Sequence, residues 1–247
     1  MLKVLFAGFV TALLCTSVFA QDGIYGSAIL GQKFVNMDPL NEVLLDNNVL
    51  ISGDKIPNMH WTVGGEGHVI GAKRWVLGGK GYAFWHNRTF DSTSAQPYKS
   101  YLNVIGGAGM GTLGFCIINA GGIHLYPQVG VGISSFIIKY KNELADTTPA
   151  TSEKTFISAL GNDHMQIIQK SGVITDACLA FDWYLKFASL FGLGGGPMIH
   201  AEVGTTWDPV KLKWMRDIDP LTDGPDLRFF NPYWNVGIGF GFNVERQ

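Results

Sequence analysis

The chain is poor in charge. Charged residues make up 15% of its 247 residues, against roughly 25% in an ordinary soluble protein, and the formal net charge is only -2. A nucleic-acid footprint needs a basic surplus, so nucleic acid is excluded as a partner. Disorder is excluded as well, because 47% of the residues are hydrophobic and a disordered chain needs few apolar residues and much net charge. Cysteine is scarce: three in this length cannot form a disulfide framework, and the spacing of Cys116 and Cys178 proposes neither a disulfide nor a metal site. Nothing in the sequence implies a cofactor. Long apolar runs are missing too. After Ala20 every apolar stretch is broken within about a dozen residues by glycine, proline or a charge, which rules out a helical membrane span. What the chain does hold is glycine, 32 residues or about 13% where roughly 7% is typical, and 13% aromatics.

Residues 1–20 read as an address. Lys3 is followed by an uncharged, mostly apolar stretch from Val4 to Leu14, then by Val18-Phe19-Ala20 and polar Gln21-Asp22. That pattern is a secretory signal peptide cleaved after Ala20. A lipoprotein would use Cys15, but Leu14 precedes it where a small residue is expected. The mature chain is therefore 21–247, one exported domain. An exported chain without apolar helices can still cross a membrane as a closed barrel, because closure satisfies every backbone group.

The rest of the chain alternates with period two, the signature of extended strands with two unlike faces. From Phe230 one face reads Phe230, Pro232, Trp234, Val236, Ile238, Phe240, Phe242 and Val244. The other reads Asn231, Tyr233, Asn235, Gly237, Gly239, Gly241 and Asn243. The same scheme runs through residues 123–140, 172–187 and 193–205, and more weakly through 23–34, 59–70, 74–86 and 99–111. Eight segments result, each long enough for the roughly 9–11 residues of a tilted membrane strand. The gaps alternate: long at about 35–57, 87–98, 141–171 and 206–228, short at about 71–73, 112–122 and 188–192, as in outer-membrane barrels with long outer loops and short periplasmic turns. Three prolines, Pro127, Pro197 and Pro232, fall near strand ends, where a bulge or frayed rim absorbs the missing donor.

This layout resembles the small eight-stranded bacterial outer-membrane proteins, the group of the OmpA transmembrane domain, OmpX and OmpW. The resemblance covers the whole mature chain. Its most specific piece is the closing strand Trp234-Asn-Val-Gly-Ile-Gly-Phe-Gly-Phe242, similar to the aromatic-alternating end such barrels present for assembly, although here Asn243 to Gln247 follow. It implies an all-β fold, an eight-stranded antiparallel up-and-down transmembrane β-barrel in the outer membrane of a Gram-negative bacterium. Its partners would be outer-membrane lipid and lipopolysaccharide, with the barrel-assembly machinery engaged during biogenesis. A soluble periplasmic ligand-binding barrel would instead turn its apolar face inward. The glycines argue against that, since a narrow eight-stranded lumen needs small residues. So do Trp61, Trp75, Trp85, Trp183 and Trp234, which sit on the apolar face towards strand ends, where a membrane girdle belongs.

With the polar face inside, the lumen carries Glu66, His68, Arg74, Lys80, His124, Asp176, Asp182, Lys186, His200 and Glu202. Three cations against four anions suggest a paired network filling the barrel, since unpaired buried charges are costly. The competing reading is a path for protons or small solutes. Glu66 with His68, and His200 with Glu202, also invite an acid–base or metal role, and lipid A-modifying enzymes exist on eight-stranded barrels; no serine at matching depth completes a triad here. The expectation is a protein that is not an enzyme, with a structural or surface-interaction role. Passage or binding of small hydrophobic compounds, as in the OmpW-like members, is the alternative. Two loops carry unexpected apolar residues: Phe156, Ile157, Leu160, Met165, Ile167 and Ile168 in one, partly at helical spacing, and Leu212, Trp214 and Met215 in the other. They read as packing on the rim or as a greasy vestibule where a ligand or extracellular partner would dock.

Overall fold

The computed structural model describes residues 21–47, 55–72, 74–91, 99–142, 155–156, 166–185, 188–190, 193–210, 213–216, 219–228 and 231–244. Residues 1–20, expected to be a signal peptide, Lys186, Leu212, and most of the third long loop, including Ile157, Leu160 and Met165, lie outside them.

Eight long strands form the wall: β1 (Gln21–Phe34), β2 (Met59–Gly71), β3 (Trp75–Asp91), β4 (Lys99–Phe115), β5 (Ile123–Asn142), β6 (Gln166–Tyr184), β7 (Leu193–Trp207) and β8 (Asn231–Val244). Each pairs antiparallel with its sequence neighbour, and β8 pairs back onto β1 from Gly23↔Asn243 to Lys33↔Tyr233. The sheet is therefore a closed up-and-down barrel. Closure leaves no wall strand with an unpaired edge.

Period-two alternation decides which side chains face out. Ile238 is 76% exposed and Phe240 62%, whereas Tyr233 and Asn235, of opposite parity on the same strand, are buried. Outward positions on the other strands repeat this, with Val63, Leu113, Val131, Ile133 and Val203 all exposed. The barrel is greasy outside. Tryptophans sit at both ends of the apolar band: Trp61 meets Trp234 edge-on, and Trp75 meets Phe115. On β3 the outward Trp75 and Trp85 are ten residues apart, about 33 Å along a strand at 3.3 Å per residue. At a tilt of about 40° that is about 25 Å along the axis, the height of a membrane barrel's apolar band.

Several boundaries differ from those read off the pattern. β3 runs on to Asp91, β4 to Phe115, and β6 begins at Gln166, so Ile167 and Ile168 belong to the wall rather than to a helix. The turn between β4 and β5 holds a short strand, Ile118–Ala120, paired with Ile123–Leu125. The two residues joining them, Gly121 and Gly122, have φ of +61° and +81°, the left-handed pair a tight primed hairpin turn requires. A second short strand, Ala188–Leu190, pairs with the start of β7.

The largest departure is in the loop after β1, which contains a helix, α1 (Asp38–Asp46). Pro39 lies in its first turn and Asp38 adds a favourable charge there. Leu40 and Leu44, four apart on one face, are fully buried. Asn41 fastens the return of the loop: its side chain donates to the Ile56 carbonyl at 2.9 Å and accepts from the Ile56 N–H at 2.8 Å. Asn41→Ala would leave both groups of Ile56 buried without a partner, a loss of about 1–3 kcal/mol. Limited proteolysis should then cut this loop first while the heat-resistant barrel band stays unchanged.

Leu40, Leu44, Val35, Met37 and Ile56 pack with loop residues Phe156, Trp214, Leu221 and Leu227 over the inward side chains Phe84, Leu102, Phe136 and Ile138. The Trp214 indole donates to the Pro225 carbonyl at 2.7 Å and its ring meets Phe156 edge-on. A short hairpin, Met215–Arg216 with Asp219–Pro220, extends the wall beside β6, and Thr155 bridges to Thr222. These described loop residues fold inward and cap the barrel mouth. Outside this cap Asp226 holds the exposed Arg228 guanidinium above its ordinary pKa through a 2.8 Å hydrogen bond.

Candidate functional site

Below the cap the lumen is filled in layers. At the turn end Tyr25, Ile70, Val76, Cys116, Tyr126, Ala180, Tyr184 and Met198 form an apolar floor. Burial pushes the Cys116 thiol, at the turn after β4, up to about 11, so it stays protonated and unreactive. Cys178 is a free, buried thiol as well.

Between floor and cap lie two clusters of ionisable groups, both assembled by register. In the first, Asp182 on β6 is directly opposite His124 on β5 and His200 on β7. Its Oδ1 lies 2.7 Å from His200 Nδ1; its Oδ2 lies 3.0 Å from His68 Nε2 and accepts from the Tyr126 hydroxyl at 3.0 Å. Glu66 approaches from β2, with Oε1 2.9 Å from His200 Nδ1 and 3.7 Å from His68 Nδ1. The side chains of Glu66, His68, Asp182 and His200 are all at most 4% exposed. His124 is buried and edge-on to Tyr25.

In the second cluster Lys80 on β3 is the hub. Its Nζ lies 2.7 Å from Glu202 Oε2 and 2.9 Å from Asp176 Oδ2, and donates to the Tyr233 hydroxyl at 2.6 Å. Asn235 donates to the other Glu202 oxygen at 2.6 Å. Gly204 makes room for the group: a Cβ there would lie 2.5 Å from Cys178 Cβ and 2.8 Å from the Tyr233 oxygen. Nearer the cap, Lys33 donates to the Tyr82 hydroxyl and lies over the Tyr82 ring.

Of the ten residues singled out in the sequence, eight face this interior. Arg74 does not. It sits in the exposed turn between β2 and β3, its guanidinium 5.9 Å from the Phe115 ring centre. Its position has inward parity, but Ala72, at φ of 48°, has already turned the chain out of the strand. Lys186 lies outside the described residues. Residues the sequence reading passed over are Lys33, Tyr82, Tyr126, Tyr233 and Asn235. All sit on the small or polar face of their strands, which was the signal available.

The concavity beside Ser134, Lys170 and Asp208 holds about 10 Å³, at the threshold of about 10–15 Å³ for a single water. Among the described residues the lumen between floor and cap is filled by the buried side chains of the two clusters. Chemically it offers carboxylates, imidazoles, phenols and two lysines, Lys33 and Lys80, at hydrogen-bonding distance of their neighbours, able to share protons or hold a cation.

No protein-family model matches the chain, and no curated protein matches it. Solved structures similar to it include Ail, the attachment invasion locus protein of Yersinia pestis, in complex with the heparin analogue sucrose octasulfate. That chain is 13% identical, the match covers 90% of this chain and 99% of that one, and the TM-score is 0.48. The outer membrane protease OmpT of Escherichia coli is 10% identical, with 91% and 98% covered and a TM-score of 0.36. The expectation of a protein that is not an enzyme is corrected here: a barrel described as a protease is among the similar structures.

Proposed function

We propose that the chain is an integral outer-membrane barrel whose lumen is a structural network and whose working surface is the loop cap, presented to partners outside the cell. The observation that carries this reading is the polarity of the wall. Bulky apolar side chains cover the outside between two tryptophan levels, and the charged groups pair within. In water such a surface is far larger than the few hundred Å² of apolar patch a soluble monomer exposes; in hydrocarbon it is required. Outer-membrane lipid and lipopolysaccharide are the corresponding partners, and the barrel-assembly machinery would deliver a chain freed of its leader at Ala20.

Within this reading Glu66, His68, Lys80, His124, Asp176, Asp182, His200 and Glu202 hold opposite walls together rather than line a path. Passage of hydrophobic compounds is not favoured, because Phe156, Trp214, Leu221 and α1 occupy the mouth. The cap is ordered by its own buried contacts, which suits a surface that meets a macromolecule or the environment.

Fractionation and electrophysiology test the two halves. The protein should stay with outer membranes through an alkaline wash and change gel mobility on boiling in SDS. Release into the wash would reject the membrane reading. In planar bilayers it should add no conductance above lipid leak; regular channel steps would reject the plug.

A further inference from the structure

We propose that Glu66, Asp182 and His200 form a three-ligand site inside the barrel for a divalent first-row transition-metal ion, Zn²⁺ in the first instance. Their ligand atoms lie within 4.8 Å of one another. Two carboxylate oxygens converge on one imidazole nitrogen: Asp182 Oδ1 at 2.7 Å and Glu66 Oε1 at 2.9 Å from His200 Nδ1. That nitrogen carries at most one hydrogen, so it cannot donate a full hydrogen bond to both carboxylates. Glu66 Oε1 is left without a hydrogen-bond partner on a side chain only 4% exposed, aimed into the cluster. A metal ion at the point of convergence would satisfy all three atoms at once.

Lys80 is engaged by Asp176 and Glu202, so among the described residues the charge partners of Glu66 and Asp182 are the imidazoles of His68 and His200. A dication between them would balance both carboxylates. One imidazole nitrogen with two carboxylate oxygens is a donor set that suits zinc and its neighbours. Ligand bonds of about 2.0–2.2 Å in tetrahedral array separate ligand atoms by about 3.3 Å, so the two spacings to His200 Nδ1 need to open by roughly half an ångström. Asp182 is already oriented for this: His68 and Tyr126 both hold Oδ2, leaving Oδ1 for the ion. Such outer support is what fixes a ligand's direction.

The test uses the mature barrel, produced in zinc-supplemented cells and purified in detergent without chelator, with metal content measured by mass spectrometry. The parent should carry close to one zinc per chain, and zinc should raise the temperature at which its gel mobility shifts. Glu66→Gln and His200→Ala should each retain less than a tenth of the parent's zinc. A double variant of an imidazole pair outside the site, His60→Ala with His86→Ala, whose ring centres lie 6.1 Å apart, should retain the full amount. Zinc-free parent protein, even after incubation with excess Zn²⁺, overturns the proposal and leaves a shared proton as the occupant. So does full zinc in a folded Glu66→Gln. If a variant does not fold, the parent's content and its zinc-dependent shift decide alone.

Discussion

Lys80→Met is expected to destabilise the barrel by about 3–5 kcal/mol, the usual cost of removing one partner from a buried ion pair. The methionine side chain fills a similar volume, so the loss is electrostatic. Glu202 and Asp176, whose side chains are fully buried, would then lose the cation they share, and the Tyr233 hydroxyl would lose the lysine as donor. The urea midpoint of the detergent-solubilised protein should fall sharply. Adding Glu202→Gln to Lys80→Met should recover part of the loss, because one of the stranded charges disappears. A midpoint indistinguishable from the parent's would mean that the lysine does not hold the walls together.

Ile238→Arg should be nearly as damaging, but only in lipid. Ile238 lies midway along β8, faces outward and is 76% exposed. An arginine at the midplane of a membrane barrel costs about 2–4 kcal/mol. On a water-facing wall the same change would cost almost nothing, since surface substitutions usually stay within about 0.5 kcal/mol. Insertion into lipid vesicles, scored by the fraction of protein in the unboiled folded band, should drop for Ile238→Arg and stay near the parent's for Ile238→Ala. Equal insertion of all three proteins would remove the hydrocarbon from around β8.

How far the sequence led is clearest on β8. Its alternation of Trp234, Val236, Ile238 and Phe240 with Asn235, Gly237 and Gly239 states both the strand and its inner face, because the side-chain period of a strand leaves no third direction. The same rule went wrong at Arg74, where parity was carried one residue past the end of a strand. Helix α1 was missed because nine residues surrounded by loop show little periodicity. Asp38-Pro39 followed by Leu40 and Leu44 was the cue. The cap was foreshadowed by Trp214 and Phe156, which sit oddly in polar loops, but their mutual contact depends on chain paths no local pattern encodes. The interior charges were legible as a set and not as pairs. Glu66 reaches His200 across the barrel, and that depends on strand tilt and stagger around the whole circumference.

The seam between β1 and β8 has its own consequence for biosynthesis. The first strand finds its second neighbour only when the last one has been made, so the wall cannot be sealed while the ribosome is still working. Until then both terminal strands present bare backbone, the kind of template on which chains stick to one another. On the export route proposed above, such a chain would need protection from its own copies until β8 arrives. Any truncation that removes β8 should yield no smaller barrel, only a chain with an open flank.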